Sequence, residues 1–178
     1  FDMGACEATG LLKMDFLGLR NLSVLDDALL NIKANQGKDV VLEELTLDDK
    51  KTYELLARGE TLGVFQLDGG PMRSLLKSLA PDHFGDISAV IALYRPGPME
   101  SIPEYIKRKH NPQLVKYLDP RMKKFLKESY GLIVYQDDLL FCALEMAGYN
   151  WEEADKFRKA VGKKIPAEAG ILSVTQLT

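Results

Sequence analysis

Leu11-Leu12-Lys13-Met14-Asp15-Phe16-Leu17 is the stretch on which the fold class turns. Its apolar run is interrupted at 13 and 15. In an extended chain, where side chains alternate between faces, Lys13 and Asp15 therefore share one side. The pattern predicts a strand. A charge inside such a run is costly to desolvate unless a cation or a hydrogen-bond donor answers it. Two readings of Asp15 stand open. It is either the structural ion-pair partner of Lys13, or a cleft carboxylate that binds a divalent metal while Lys13 faces a phosphate or leaving group. One aspartate alone does not make a two-metal site.

Gly18 ends the run, and from Leu19 the residues Leu22, Leu25, Leu29 and Ile32 recur at helical spacing until Asn35 and Gly37. Asp48-Asp49 suits the N-terminus of a second helix, which carries Tyr53, Leu55 and Leu56 and stops near Gly59. Leu62-Gly63-Val64-Phe65-Gln66-Leu67 reads as another short strand, with Pro71 following at a first helical position. The helix beginning there places Met72, Leu75, Leu76 and Leu79 on one face. A further helix from Pro81-Asp82 runs through Leu93 and breaks at Arg95-Pro96-Gly97-Pro98, where two prolines and a glycine forbid a regular element. Helices are predicted near 100–109, 119–129, 136–147 and 151–161, the last capped by Asn150. Gly131-Leu132-Ile133-Val134-Tyr135 is predicted as a short buried strand or extended link. The expected fold class is α+β, predominantly helical, with a short strand segment first and a few short strands within the helical region.

The chain has 178 residues, with 23 Lys+Arg against 26 Asp+Glu and 46% apolar residues. That suits an ordinary globular domain or pieces of two, and excludes a disordered, collagenous or wholly acidic chain. No stretch approaches the roughly 20 apolar residues needed to cross a bilayer. The chain opens on Phe1 and nothing reads as a signal peptide, so an internal stretch of a longer cytoplasmic protein is expected. Cys6 and Cys142 lack CxxC spacing, with only His83 and His110 for company, which argues against zinc and against a disulfide framework.

Charge is unevenly spread. Residues 105–127 hold Lys107, Arg108, Lys109, Lys116, Arg121, Lys123, Lys124 and Lys127 against Asp119 alone, a patch that either attracts phosphate or forms a solvated helix face. Arg95 sits on a rigid loop where its fork can meet phosphate bidentately or remain a plain surface arginine. Lys156, Arg158, Lys159, Lys163 and Lys164 crowd the last helix, with Lys156, Lys159 and Lys163 forming one stripe. Such residues fit a triphosphate or a nucleic-acid backbone, and also complement a helix C-terminus. Tyr135 and Trp151 are candidates for base stacking or for core, and Asp137-Asp138 for helix capping rather than catalysis. P-loop, nucleophile-elbow and HExxH motifs are absent from the sequence.

Five blocks, in order, carry a resemblance. They are Gly10 to Leu22 behind Phe1-Asp2-Met3; Gly63-Val64-Phe65-Gln66-Leu67; Ala92-Leu93-Tyr94-Arg95-Pro96-Gly97-Pro98; Tyr130 to Gln136; and Ala147-Gly148-Tyr149 through Lys163-Lys164. Together they resemble the C-family replicative polymerases, the alpha subunit of bacterial DNA polymerase III, over residues 1 to about 168. The resemblance implies three segments: 1–20 as the last segment of the palm, 21–168 as the N-terminal part of the fingers, and 169–178 as a tail that departs from the family.

It implies template-directed addition of deoxynucleotides to a primer 3′ end. Asp15 would be the third catalytic carboxylate, a ligand to two Mg2+ ions that activate the primer hydroxyl and stabilise departing pyrophosphate, with Lys13 beside it. Arg95, Arg158, Lys159, Lys163 and Lys164 fall in blocks resembling the nucleotide-binding surface, as do Gln66, Tyr135 and Gln136. Contact of Lys107, Arg108, Lys109, Lys123 and Lys124 with DNA is inferred from charge. The implied partners are primer-template DNA and deoxynucleoside triphosphates, together with the sliding clamp and other replisome subunits. The other two catalytic aspartates of the family are absent from this sequence, so the isolated piece is expected to be inactive. Asp137-Asp138 stands where many relatives carry Glu-Gln. A non-catalytic nucleic-acid or partner-binding module, and a truncated product without function, are the alternatives.

Overall fold

Helix signals in the sequence are met almost one for one in the computed structural model, which describes residues 1–162. The elements are α1 (Met3–Ala8), α2 (Arg20–Gln36), α3 (Lys50–Ala57), α4 (Gly70–Leu79), α5 (Phe84–Leu93), α6 (Ile102–His110), α7 (Lys123–Leu126), α8 (Gln136–Ala147) and α9 (Trp151–Gly162), with four short 3-10 turns between them. Local chemistry sets several ends. Asp49 accepts from the Thr52 backbone N–H at 3.1 Å and starts α3. Asn150 and Glu153 exchange reciprocal side-chain to backbone bonds of 3.0 and 2.9 Å and start α9, a capping box. Gly37 ends α2 in the left-handed region, its N–H donating to the Lys33 carbonyl.

The chain divides into two units, Phe1–Leu45 and Thr46–Thr178. The first holds α1, α2 and a 3-10 turn at Leu42–Glu44, and none of its helices contains a buried residue. The second is built on a core of Leu56 from α3, Met72, Leu76 and Leu79 from α4, Ala89, Val90 and Leu93 from α5, and Ile102 and Tyr105 from α6. Leu67 plugs the same core from the loop before α4. α8 also packs on α9, and on these two helices the small residues Ala143, Ala154 and Ala160 are buried. Gly131 makes a close approach possible: at φ +78°, a Cβ there would sit 2.7 Å from the Lys116 carbonyl oxygen.

The α+β expectation is overturned, because no strand occurs among the described residues. A strand needs a partner edge for its N–H and C=O groups, and each predicted segment finds another solution. Residues 11–17 run between α1 and α2 with no ladder partner. Residues 62–67 form turns instead, with the Val64 N–H on the Thr61 carbonyl and the Leu67 N–H on the Val64 carbonyl, both at 3.0 Å. The buried Thr61 hydroxyl closes this loop by donating to the Leu67 carbonyl at 2.5 Å. Gly63 and Gln66 sit there at φ +79° and +63°, a conformation no strand contains. At 131–135 the extended link is present without a sheet, and the Val134 and Tyr135 N–H groups both donate to the Asp138 carboxylate at 2.8 Å.

Candidate nucleotide and nucleic-acid site

The α8–α9 pair gathers three of the sequence-predicted residues. Gln136 opens α8, and Arg158 and Lys159 lie on the second half of α9. Arg158 donates from Nη1 to Gln136 Oε1 at 3.2 Å, tying the two helices together. Its Nε and Nη2 both reach Asp155 Oδ1, at 3.1 and 2.8 Å, and Lys159 Nζ lies 2.7 Å from Asp155 Oδ2. These hydrogen bonds, Lys159 first and Arg158 second, hold the Asp155 carboxyl below the usual carboxylate range. Gln136, Leu139, Arg158, Lys159, Val161 and Gly162 line a shallow pocket of about 280 Å³. An open pocket with two cations and an amide at its rim can receive a polyanion. Lys163 and Lys164 lie outside the described residues.

Other predicted residues are dispersed over the second unit. Arg95 is exposed on the loop after α5, and its side chain makes no hydrogen bond or ion pair among the described residues. Gln66 is exposed on the turn before α4, in left-handed backbone that costs a non-glycine residue free energy. Tyr135 is half-buried and packs against the core of this unit at the start of α8. Asp138 is buried one turn into α8 and works as a cap, as its position suggested; burial raises its carboxyl against the pull of the two backbone donors. Trp151 is exposed and meets Phe141 edge to face at 6.2 Å.

The basic run from 107 to 124 separates into two kinds of residue. Lys107, Lys123 and Lys124 are exposed, with Lys124 paired to Glu145 at 2.6 Å. Arg108 and Lys109 face inward. Arg108 Nε donates to Glu104 at 2.8 Å and its Nη1 to the Tyr130 carbonyl at 3.1 Å. The Lys109 side chain is only 6% exposed, and its ammonium lies 2.8 Å from both Asp82 Oδ1 and Asp86 Oδ2. Burial works against its charge, but these two hydrogen bonds prevail and raise its pKa. The Lys109 bond, then the His83 bond at 2.6 Å, holds the Asp82 carboxyl far below the usual range. Fully buried Asp86 also accepts from the Tyr105 hydroxyl at 3.2 Å, and burial pushes that phenol well above its ordinary value.

Sequence reasoning missed this cluster, because Asp82 lies 27 residues from Lys109 and no local pattern links them. Asp155 was missed as well, although an acid three and four residues before two cations on a helix was a usable signal. The Asp82, His83 and Asp86 ligand atoms lie within 4.8 Å of one another, but the Lys109 ammonium already takes the place a cation would fill.

Lys13 and Asp15 belong to the first unit. They face each other at 3.8 Å, with Asp15 70% exposed. A single exposed carboxylate lacks the several oxygen ligands that even one Mg2+ requires, and the residues described around it do not compose a two-ion site.

Comparison with known proteins places this geometry in context. Residues 21–172 match the bacterial DNA polymerase III alpha subunit finger domain. DNA polymerase III subunit alpha of Mycobacterium leprae is 56% identical over 170 residues, which is 92% of this chain and 14% of that protein. The Mycobacterium tuberculosis subunit is 55% identical over the same coverage. That of Staphylococcus epidermidis is 49% identical over 162 residues, 91% of this chain and 15% of that protein. The chain therefore spans about one seventh of the length of these relatives. Among the described residues no helix is long and apolar enough to cross a membrane.

Proposed function

The chain belongs to the bacterial DNA polymerase III alpha subunit finger domain family, and from that premise we propose that it forms the triphosphate-receiving part of a cytoplasmic replicative DNA polymerase. The observation that carries the proposal is the joining of Gln136, Arg158 and Lys159 around one open pocket. Among the described residues, three of the five guanidinium N–H donors of Arg158 are engaged, as is one of the three of Lys159, and the others face no described partner. An incoming deoxynucleoside triphosphate meets two cations already held by Asp155 and, for Arg158, by Gln136. Arg95, Gln66, Tyr135, Lys163 and Lys164 are proposed as further nucleotide-binding residues on the resemblance of their sequence blocks alone.

Lys107, Lys123 and Lys124 are proposed to meet the DNA backbone, since their ammonium groups are exposed. Arg108 and Lys109 would support that surface from within by fixing α6. Residues 1–20 are assigned to the end of the palm, 21–168 to the fingers and 169–178 to a divergent tail. Asp15 is proposed as one contributor to the catalytic carboxylates, with the remaining ligands to Mg2+ supplied from outside this sequence, and Lys13 as its electrostatic neighbour. Primer-template DNA, the sliding clamp and other replisome subunits are the proposed partners of the whole protein.

The test is primer extension by the full-length polypeptide carrying this segment. Arg158→Ala is expected to raise KM for deoxynucleotides by about tenfold or more, the size expected for a lost charge-assisted hydrogen bond, with primer-template affinity unchanged. An unaltered KM removes Arg158 from the site.

A further inference from the structure

We propose that Asp155 is a positioning residue that holds Arg158 and Lys159 in the geometry in which they receive the triphosphate. The inference rests on the nucleotide-binding reading of α8 and α9. Asp155 lies one helical turn before both cations, so a single carboxylate reaches each of them. The division of labour is specific. Oδ1 takes the Nε and Nη2 of Arg158, and Oδ2 takes Lys159 Nζ.

Binding through Nε and Nη2 fixes one edge of the guanidinium plane, and Gln136 on the neighbouring helix fixes Nη1. Long cationic side chains lose rotamer freedom when they meet a ligand, and a side chain already held loses less. One negative charge against two positive ones leaves the group with a net charge of about +1, by simple count of ionised groups. The site therefore stays attractive to a polyanion although the carboxylate sits inside it. The same carboxylate keeps the two cations from repelling each other apart, which an empty pocket with two adjacent positive charges would otherwise invite.

A purely competing counter-ion would make the opposite prediction, since removing it would free both cations and tighten nucleotide binding. The sign of the effect thus separates the two roles. In the full-length polymerase, Asp155→Asn is expected to raise KM for deoxynucleotides about fivefold while kcat changes less than about twofold, in keeping with the modest strength of partly exposed ion pairs. Asp155→Glu, which keeps the carboxylate on the same helix face, is expected to restore KM. In an Arg158→Ala, Lys159→Ala background, adding Asp155→Asn is expected to change KM no further, a coupling that a merely structural carboxylate would not show.

A raised KM in Arg158→Ala with an unchanged or lowered KM in Asp155→Asn overturns this inference and leaves the nucleotide site standing. A raised KM in Asp155→Asn that persists undiminished when both cations are gone also overturns it. An unchanged KM in Arg158→Ala overturns the nucleotide site and this inference together.

Discussion

Leu76 on α4 is fully buried, whereas Leu25, at an equally regular helical position on α2, is exposed. The contrast runs through both units. From α3 to α6 the apolar faces close on one another around Leu76, Leu79, Leu93 and Tyr105. In the first unit Leu11, Leu12, Met14, Phe16, Leu17, Leu22 and Leu25 are all exposed. A 3.6-residue apolar period says that a face is made for burial, and it says nothing of where the covering surface comes from. The second unit carries its own cover within itself. The first presents apolar surface that its own 45 residues do not close over.

The contrast can be broken most sharply at the core. Leu76→Ala should cost about 4 kcal/mol, near the upper part of the range for a fully enclosed leucine. Leu25→Ala should stay within about 0.5 kcal/mol, as an exposed substitution does. Denaturant unfolding of the two variants measures both, and equal losses would end the distinction between the units. Next in size is Lys109→Met, which leaves Asp86 buried without its ammonium partner and should cost about 3 kcal/mol. A solvated lysine at that place would cost almost nothing, so the same unfolding experiment separates a buried clamp from a surface charge. Gly131→Ala follows at about 2 kcal/mol, combining left-handed backbone with a clash against the Lys116 carbonyl.

The smallest expected effect is a pH dependence confined to the second unit. The Lys109 and His83 bonds depress the Asp82 carboxyl in the folded state. Its stabilising contribution is therefore complete above the ordinary value of 3.8 and is lost as pH falls through the lower folded value. Melting temperatures taken between pH 6 and pH 2 should fall less steeply for Asp82→Asn than for the wild type. Identical slopes would mean that the cluster is not tightened by the Asp82 charge.

The same contrast explains how much the sequence could tell. Helices α2, α3, α4, α8 and α9 were readable because caps such as Asp49 and Asn150 and the 3.6-residue spacing are local signals. Strands were misread at 11–17 and 62–67, and at 131–135 only the extended-link alternative holds, because an apolar pattern describes a segment, while a strand exists only in a ladder with another. Gln66 shows the cost of that gap: nothing in Val64-Phe65-Gln66-Leu67 announces a left-handed residue, yet the Thr61 to Leu67 bond requires the loop to turn there. Around the candidate site, Arg158, Lys159 and Gln136 were named from blocks of sequence, and the structure brings these three together. The inward turn of Lys109 was beyond reach, since its carboxylate partners Asp82 and Asp86 lie just before and within the first turn of a different helix.

The proposed function divides the work between the two units, with catalysis proposed for the segment carrying Asp15 and triphosphate binding for the α8–α9 pair. The most direct test places Asp15→Asn and Arg158→Ala separately in the full-length polypeptide and follows primer extension with Mg2+ and all four deoxynucleotides, alongside primer-template binding. Asp15→Asn is expected to lower kcat at least about a hundredfold with binding retained, and Arg158→Ala to act mainly on KM. Extension by Asp15→Asn within about twofold of wild type would contradict the assignment and return Asp15 to its role as the ion-pair partner of Lys13.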